Sequence, residues 1–482
     1  MVDNDKDETS LMSTIWWIRR DLRLNDNQAL AAAAASGGPV TPVFILDPNL
    51  LGSAYVGEKR VAFLFASLRA LERDLLKRGN RLIIRSGDPL EVLPLLLSEL
   101  EADEIHAEED FSPYARRRDS ELSKRLPLKL HPGLTVFPPG MIEKKSGGPY
   151  TVYTPFRRAW EGLSPPTIGS LLPVPARFEP VINVEGEQIP PSPEWSGETE
   201  FPAGEQAARE RLDAFTSGQN PPVYTYNDLR NRVDRDATSK LSPYLRFGMI
   251  SLREAVIKAI KARETAPNTN TRKGAQTWLQ ELIWREFFIN ILYHFPNVRG
   301  NSFREDYRNI RWRNDEVEFR AWKEGRTGYP IVDAAMRQLL HTGWMHNRAR
   351  MVVASFLVKD LLIDWRWGER WFMQQLIDGD PAANNGGWQW SAGTGTDAAP
   401  YFRIFNPILQ GQKHDPEAVY IRRWVPELRA LPEEYLHTPW EMPEAVQTEV
   451  GIKLGEDYPR PIVDHQDARE RTLRIYSQAR GE

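Results

Sequence analysis

Apolar spacing along this chain switches once, from short runs alternating with helical stretches to helical stretches alone, and that switch leaves few architectures open. Up to residue 140 the runs Thr14–Ile18, Val40–Leu46, Arg81–Arg85, Glu104–Ala107 and Leu134–Phe137 read as strands. Ala29–Ala35, Lys59–Arg78, Leu90–Leu100 and Tyr114–Arg125 read as helices between them. In the second of these, Val61, Leu64, Phe65, Leu68, Leu71 and Leu75 recur at steps of three and four, and Gly79 follows the end. Strands spaced by helices predict a doubly wound, mainly parallel α/β sheet. From Glu161 to Pro202 nine of 42 residues are Pro and periodicity vanishes, as in a connector lying over the surface. From about Gln206 every periodic segment is helical: Leu252–Ala262, Ala275–Tyr293, Glu316–Lys323, Pro330–Thr342, Asn347–Leu362 and Glu369–Leu376. The expected organisation is a disordered tail over 1–12, an α/β domain over 13–140, a connector over 141–205 and an all-α domain over 206–482.

Composition narrows the chemistry. The 482 residues include no Cys, which excludes a disulfide scaffold, a Cys-ligated zinc site, an iron–sulfur cluster and a thiol nucleophile. No apolar run approaches a membrane span, and the opening MVDNDKDETS is neither a secretory signal nor a transit peptide. A bacterial cytosolic protein without a membrane partner is expected. Net charge is −4, but residues 206–430 hold 33 Lys and Arg against 25 Asp and Glu. This basic half in an acidic chain suits a polyanion-binding surface as well as scattered solvated charge.

Tryptophan is the unusual residue. Ten of the 16 lie between Trp278 and Trp390, where packing, stacking on bases or a ring cofactor, and electron transfer are all open roles. On one helix, Trp278, Glu281 and Arg285 share a face with Trp284 beside them, a spacing that also suits a solvated Glu281–Arg285 pair. Asn347, Arg350, Met351 and Ala354 line a second helical face. The segment Asp378-Gly-Asp380 through Asn384-Asn385-Gly386-Gly387 to Trp388 and Trp390 reads as tight turns carrying carboxylates and amides. Thr238-Ser239-Lys240-Leu241-Ser242-Pro243 reads as a phosphate seat or an N-cap. No group reads as a metal site.

Taken together, WWIRRDLRLNDNQAL, TSKLSPYLRFG, WLQELIWREFF, GWMHNRARMVVASFLVKDLLIDW and DGDPAANNGGWQWSAGTGTDAAPYFRIFNP resemble the photolyase/cryptochrome family, and within it the class I cyclobutane pyrimidine dimer photolyases. The resemblance covers Thr14 to about Leu428. It implies an α/β antenna domain, a connector and a helical domain holding FAD. Tyr226 and Thr238, Ser239, Lys240, Leu241 and Ser242 are then expected at the phosphates. Trp278, Arg285, Arg350, Asp378 and Asp380 are expected along the flavin, with Arg350 and Asp378 paired and Asn384 facing the flavin ring. For the lesion, the resemblance implies Glu281 on the base edge, Trp284 and Trp390 as walls, and Asn347, Met351 and the neighbouring Arg348 as substrate contacts. Trp388, Trp365 and Trp312 become an electron relay to the surface. The implied reaction is transfer of one electron from photoexcited reduced FAD to a flipped-out dimer in damaged DNA, followed by its return.

Two related readings remain alternatives. A cryptochrome-type receptor typically carries Asp at the Asn384 position and lacks Trp at the Trp284 position, and no long signalling tail is expected after the helical domain. A (6-4) photolyase needs His in the lesion pocket, where Asn347 and Met351 stand. A nicotinamide oxidoreductase lacks support because no G-x-G-x-x-G follows the first strand. The family also implies a second, antenna chromophore, 5,10-methenyltetrahydrofolate or 8-hydroxy-5-deazaflavin. Ser112 stands where folate types carry a carboxylate, and Arg246 where deazaflavin types carry Lys. Action as a monomer without an obligatory protein partner is expected.

Overall fold

A computed structural model of the chain describes residues 12–176, 184–195 and 197–481. The tail expected over 1–12 thus lies, apart from Met12, outside the described residues. Strands β1 (Met12–Ile18), β2 (Gly37–Leu46), β3 (Ile83–Ser86), β4 (Glu104–Glu108) and β5 (Leu128–His131) form one parallel sheet in the order β3-β2-β1-β4-β5. Helices α1 (Gln28–Ala35), α2 (Glu58–Leu76), α3 (Pro89–Glu99) and α4 (Pro113–Ser123) alternate with the strands. The strand order reverses between β1 and β4, so the loops leaving these two strands open a crevice at the sheet's carboxyl end. Along β1 the side chains alternate between two cores. Trp16 and Ile18 enter one, and Ile15 and Trp17 the other.

The fifth strand is not where the apolar run suggested. Leu128–His131 pairs with β4, while Leu134–Phe137 is not a strand. As an edge strand, β5 has only half-buried or exposed side chains, and its apolar signal is weak accordingly. Residues 134–137 instead lie against the helical half.

That half begins inside the stretch expected as connector, with α5 (Tyr153–Glu161), whose Tyr153, Phe156 and Trp160 are buried. It continues with α6 (Ser242–Phe247), α7 (Leu252–Glu264), α8 (Thr269–His294), α9 (Glu316–Glu324), α10 (Pro330–Thr342), α11 (Asn347–Ser355), α12 (Trp365–Gln375), α13 (Pro381–Ala392) and α14 (His465–Ala479). Helix α8 starts before the expected Ala275 because Asn268 and Thr271 form a reciprocal capping box. Glu286 of α8 accepts from the Val136 N–H and from Trp160 Nε1, which holds residues 134–137 and α5 on this helix.

Two expectations for helices are corrected. The helix expected over Asn347–Leu362 is α-helical only to Ser355 and then widens into a π-helical turn, Phe356–Asp360. There Lys359 is fully buried, donates to the Ala392 carbonyl at 2.9 Å and lies 3.6 Å from the centre of the Tyr476 ring of α14. The segment expected as tight turns after Asp380 is helix α13. Asp380 caps it by accepting from the Ala382 and Ala383 N–H groups, with Pro381 in the first turn. Gly386 is there for contact: a Cβ at that position would lie 2.2 Å from the Phe288 ring of α8.

The core containing Trp16 runs on through Phe63 of α2 to Tyr244, Trp278 and Phe287, so both halves share one apolar interior. Polar contacts follow the same seam. Arg20, leaving β1, donates to Asp380 at 2.6 Å and to the Arg246 carbonyl at 3.3 Å, and faces Asp110 at 3.5 Å. Arg60 of α2 donates to the carbonyls of Leu376 (3.1 Å) and Gly379 (3.4 Å). The α/β half thereby holds the turn from which α13 starts. Arg20→Met leaves Asp380 and Asp110 poorly compensated in a site where the Arg20 and Asp380 side chains are 14% and 11% exposed. It is expected to lower stability by about 3 kcal/mol in urea unfolding of the full chain; an unchanged midpoint would remove Arg20 from this role.

Candidate functional site

Helices α6, α8, α11, α12 and α13 enclose a cavity. Many of the residues singled out in the sequence come together on its wall. Trp278, Glu281, Trp284 and Arg285 enter from α8, and Asn347, Arg350 and Met351 from α11. Asp378 and Asp380 come from the turn before α13, Asn384 and Trp388 from α13 itself, and Tyr226, Ser239, Leu241 and Ser242 from the chain around the start of α6. Thr238, Lys240 and Arg348 do not line it. Lys240 is ion-paired to Glu200 (2.9 Å) and Asp236 (3.1 Å). Arg348 is held by Asn231 Oδ1. Trp390 lines an adjoining pocket, which it shares with Trp284 and Phe288.

The deep end of the cavity carries more positive charge than its carboxylates neutralise. Arg350 donates to Asp378 Oδ2 at 2.7 Å and to the Met345 carbonyl. The second Asp378 oxygen is buried without a partner. Asp380 is fully used: one oxygen caps α13, the other accepts from Arg20, and the surrounding guanidiniums hold its carboxyl far below the usual range despite burial. Arg285 donates only to the carbonyls of Leu134 and Leu245, and Arg246 to that of Gly379. Neither has a carboxylate within ion-pair distance among the described residues. Burial pulls Arg285 down to about 10, and burial together with Arg20 pulls Arg246 down to about 9. Asp380 and Asp110 offset that burial only in part, and guanidiniums keep their proton at neutral pH, so both remain charged without a paired carboxylate. The Glu281–Arg285 pair that the spacing also allowed does not form.

Near the mouth, Glu281 pairs with Arg230 instead, and burial outweighs that guanidinium, raising the Glu281 carboxyl above its ordinary value. Nothing in the spacing pointed to Arg230, which follows a one-turn helix in a loop. Arg348 is lowered by burial and by nearby Arg230 and Arg403, which marks a basic cluster beside the mouth. Trp284 stacks on Tyr153, ring centres 3.6 Å apart and 8° from parallel, so one indole face is covered. Asn384 donates to the carbonyl and carboxylate of Glu369, both at 3.0 Å. This anchors the amide by its NH2 end and leaves Oδ1 to accept from a ligand.

Trp388 and Trp365 are buried in the same core, and Trp312 is half-buried at its edge. The close ring neighbours of Trp388 are Phe372 (5.0 Å) and Trp322 (6.1 Å). Trp312 meets Tyr476 at 6.2 Å. Among the described residues no cluster of His, Asp and Glu is placed to hold a metal ion, and no helix is long and apolar enough to cross a membrane.

Comparison with known proteins decides the lineage. Residues 14–176 match the DNA photolyase family model, and residues 278–478 match the FAD binding domain of DNA photolyase. The chain is 42% identical to the deoxyribodipyrimidine photo-lyase of Agrobacterium fabrum, covering 96% of this chain and 97% of that one. It is 39% identical to its Escherichia coli counterpart over 96% and 98%. The chain belongs to the DNA photolyase family. Among solved structures, a bacterial class III photolyase from Agrobacterium tumefaciens superposes with a TM-score of 0.91 at 39% identity over the full length of both chains. A Synechocystis cryptochrome superposes with a TM-score of 0.87 at 33% identity, covering 96% and 99%.

Membership in the photolyase family makes FAD the group to test against the cavity, and its residues fit. The orphan Asp378 oxygen needs a donor such as a ring imide. Arg246 and Arg285 need an anion. Ser239 and Ser242 supply hydroxyls to the same cavity. Asp378→Asn removes the charge partner of Arg350 and is expected to weaken FAD retention about tenfold or more, read as flavin absorbance per protein after gel filtration. Wild-type retention in that variant would take the Arg350–Asp378 pair out of cofactor binding.

Proposed function

We propose that this photolyase-family chain is a light-driven carbon–carbon lyase that repairs cyclobutane pyrimidine dimers in DNA. One observation supports the reading most: a single cavity joins an anion-seeking, carboxylate-poor interior to a mouth carrying Glu281 between aromatic walls. Reduced FAD, when bound, supplies the electron that opens the cyclobutane ring after absorption of blue light and takes it back afterwards.

The protein's part is binding and orientation. Ser239, Leu241 and Ser242, with the backbone from Thr238 and with Tyr226, seat the phosphates; Lys240 already has two carboxylates and acts through its backbone. Trp278, Arg285, Arg350 and Asp378 line the ring system, and Asp380 acts indirectly by fixing the start of α13. Asn384 offers its carbonyl oxygen to the ring, with Glu369 holding the amide. Glu281, held by Arg230 at the cavity, hydrogen-bonds the base edge of the dimer. Trp284 offers its uncovered side, and Trp390, Asn347 and Met351 complete the lesion pocket. Arg348, with Arg230 and Arg403, takes strand phosphates, which makes binding weaken with salt. A damaged pair stacks poorly and is extruded at lower cost. Trp388, Trp365 and Trp312 carry electrons in from the surface when the flavin is oxidised.

An α/β domain ending at about 140, a helical domain that takes in α5 from the stretch expected as connector, a monomeric state and action in the bacterial cytosol belong to the same proposal. So does an antenna of folate or deazaflavin type. An archaeal photolyase from Sulfolobus tokodaii, 33% identical with a TM-score of 0.80 over 97% and 100% of the two chains, was solved with two FAD molecules, one implicated as a light-harvesting cofactor. Here Ser112 caps α4 and Arg246 turns to the Gly379 carbonyl, so both sequence markers of antenna type are engaged within the protein. Extraction and mass measurement of the bound pigments identifies the antenna.

Reduced, FAD-loaded protein mixed with thymine-dimer DNA is expected to restore the ultraviolet absorbance of the bases under blue light and not in darkness. Failure with reduced FAD bound would favour the receptor reading. Glu281→Ala is expected to lower repair about tenfold with FAD content unchanged; equal repair would remove Glu281 from the base edge. Trp365→Phe is expected to block photoreduction of oxidised FAD while chemically reduced enzyme still repairs. Normal photoreduction in that variant contradicts the relay.

A further inference from the structure

A groove of 420 Å³ lies between α9 and α12, lined by Phe319, Lys323, Trp367, Arg370, Trp371 and Gln374. Its size falls within the range of small-molecule sites. It is distinct from the repair cavity: Trp371 lines the groove, whereas the next residue, Phe372, lines the cavity. Trp367, Arg370, Trp371 and Gln374 fall at steps of three and four, so one face of α12 carries two indoles and a guanidinium outward.

The lining has the chemistry of an aromatic anion site. Phe319 and Trp367 meet edge to face at 5.2 Å. Lys323 Nζ sits 5.1 Å from the Phe319 ring centre and 4.9 Å from that of Trp371. Arg366 is committed to Asp364 and to the Gly300 carbonyl, which neutralises the groove's one carboxylate. Lys323 and Arg370 have no carboxylate within ion-pair distance among the described residues. Trp371 Nε1 is shielded from solvent and has no hydrogen-bond partner. Three aromatic rings and two cations without a paired carboxylate therefore converge on one groove.

We propose that this groove binds an aromatic mononucleotide, with the flat ring against Trp367 and Trp371 and the phosphate on Lys323 and Arg370. Stacking and phosphate binding divide the work in the usual way: rings supply ring-independent affinity, and cations select the anion. The inference does not rest on the repair reading, since no residue of the repair cavity takes part in it.

The test uses the FAD-loaded protein in the dark, titrated with flavin mononucleotide, with 5′-AMP and with uncharged riboflavin, and followed by calorimetry. Saturable binding of flavin mononucleotide or AMP is expected, with riboflavin about tenfold weaker. Trp371→Ala, Lys323→Ala and Arg370→Gln are each expected to weaken mononucleotide binding about tenfold, with FAD content and repair unchanged. Whichever mononucleotide binds more tightly names the ring preferred. The proposal is overturned if neither mononucleotide binds, if riboflavin binds equally well, or if binding is indifferent to all three variants. The last result would assign it to another site. The exposed Arg370 serves if either of the other variants lowers FAD content.

Discussion

Arg20, Arg60, Arg246 and Arg350 all donate to the turn Asp378–Gly379–Asp380, and the placement of the site follows from that convergence. Two of these arginines come from the α/β half and two from the helical half. Space at the turn is tight: a Cβ on Gly379 would lie 2.9 Å from the Arg60 guanidinium. The turn ends in Asp380, the cap of α13, and α13 carries Asn384, Trp388 and Trp390. Orientation at the reactive end of the cavity is thus set by charges buried at the junction of the two halves. Taking either partner out of such a buried pair leaves the other exposed to a large desolvation cost, which gives the junction a single favoured geometry.

The same junction explains why the cavity wants an anion. Counting Arg285, five guanidiniums surround the turn against three carboxylates, Asp378, Asp380 and Asp110, and these are already engaged apart from one Asp378 oxygen. Arg246 and Arg285 point to carbonyl oxygens, which satisfy hydrogen bonds but not charge. A cofactor with a diphosphate and an acidic ring completes that balance. At the mouth the logic reverses. Glu281 has one cation, Arg230, and a raised pKa, so it suits a neutral polar edge rather than another charge.

Much of this was legible in the sequence, for identifiable reasons. Helical spacing brought Trp278, Glu281 and Arg285 to one face because α8 is long and regular, and the structure puts all three on the cavity. What escaped was set by tertiary contact. Asn384-Asn385-Gly386-Gly387 has turn composition, yet it is helical because Asp380 caps it and Phe288 demands a residue without Cβ. Strand β5 was missed because an edge strand needs little apolar surface. Arg230 and Glu369 act on Glu281 and Asn384 from 51 and 15 residues away, a separation without periodic signature. The π-helical turn at Lys359 likewise answers to Ala392 and Tyr476, distant in the chain.

The central claim is that unneutralised buried guanidiniums make this interior a site for an anionic flavin. Its most direct test is the unfolding midpoint of flavin-free protein titrated with FAD and, separately, with riboflavin, which has the ring but no phosphates. A ligand bound only by the folded chain adds about 4 kcal/mol at a thousandfold excess over its Kd. FAD is predicted to raise the midpoint accordingly and riboflavin to raise it far less. Equal shifts from the two ligands, or no uptake of FAD at all, would contradict the account.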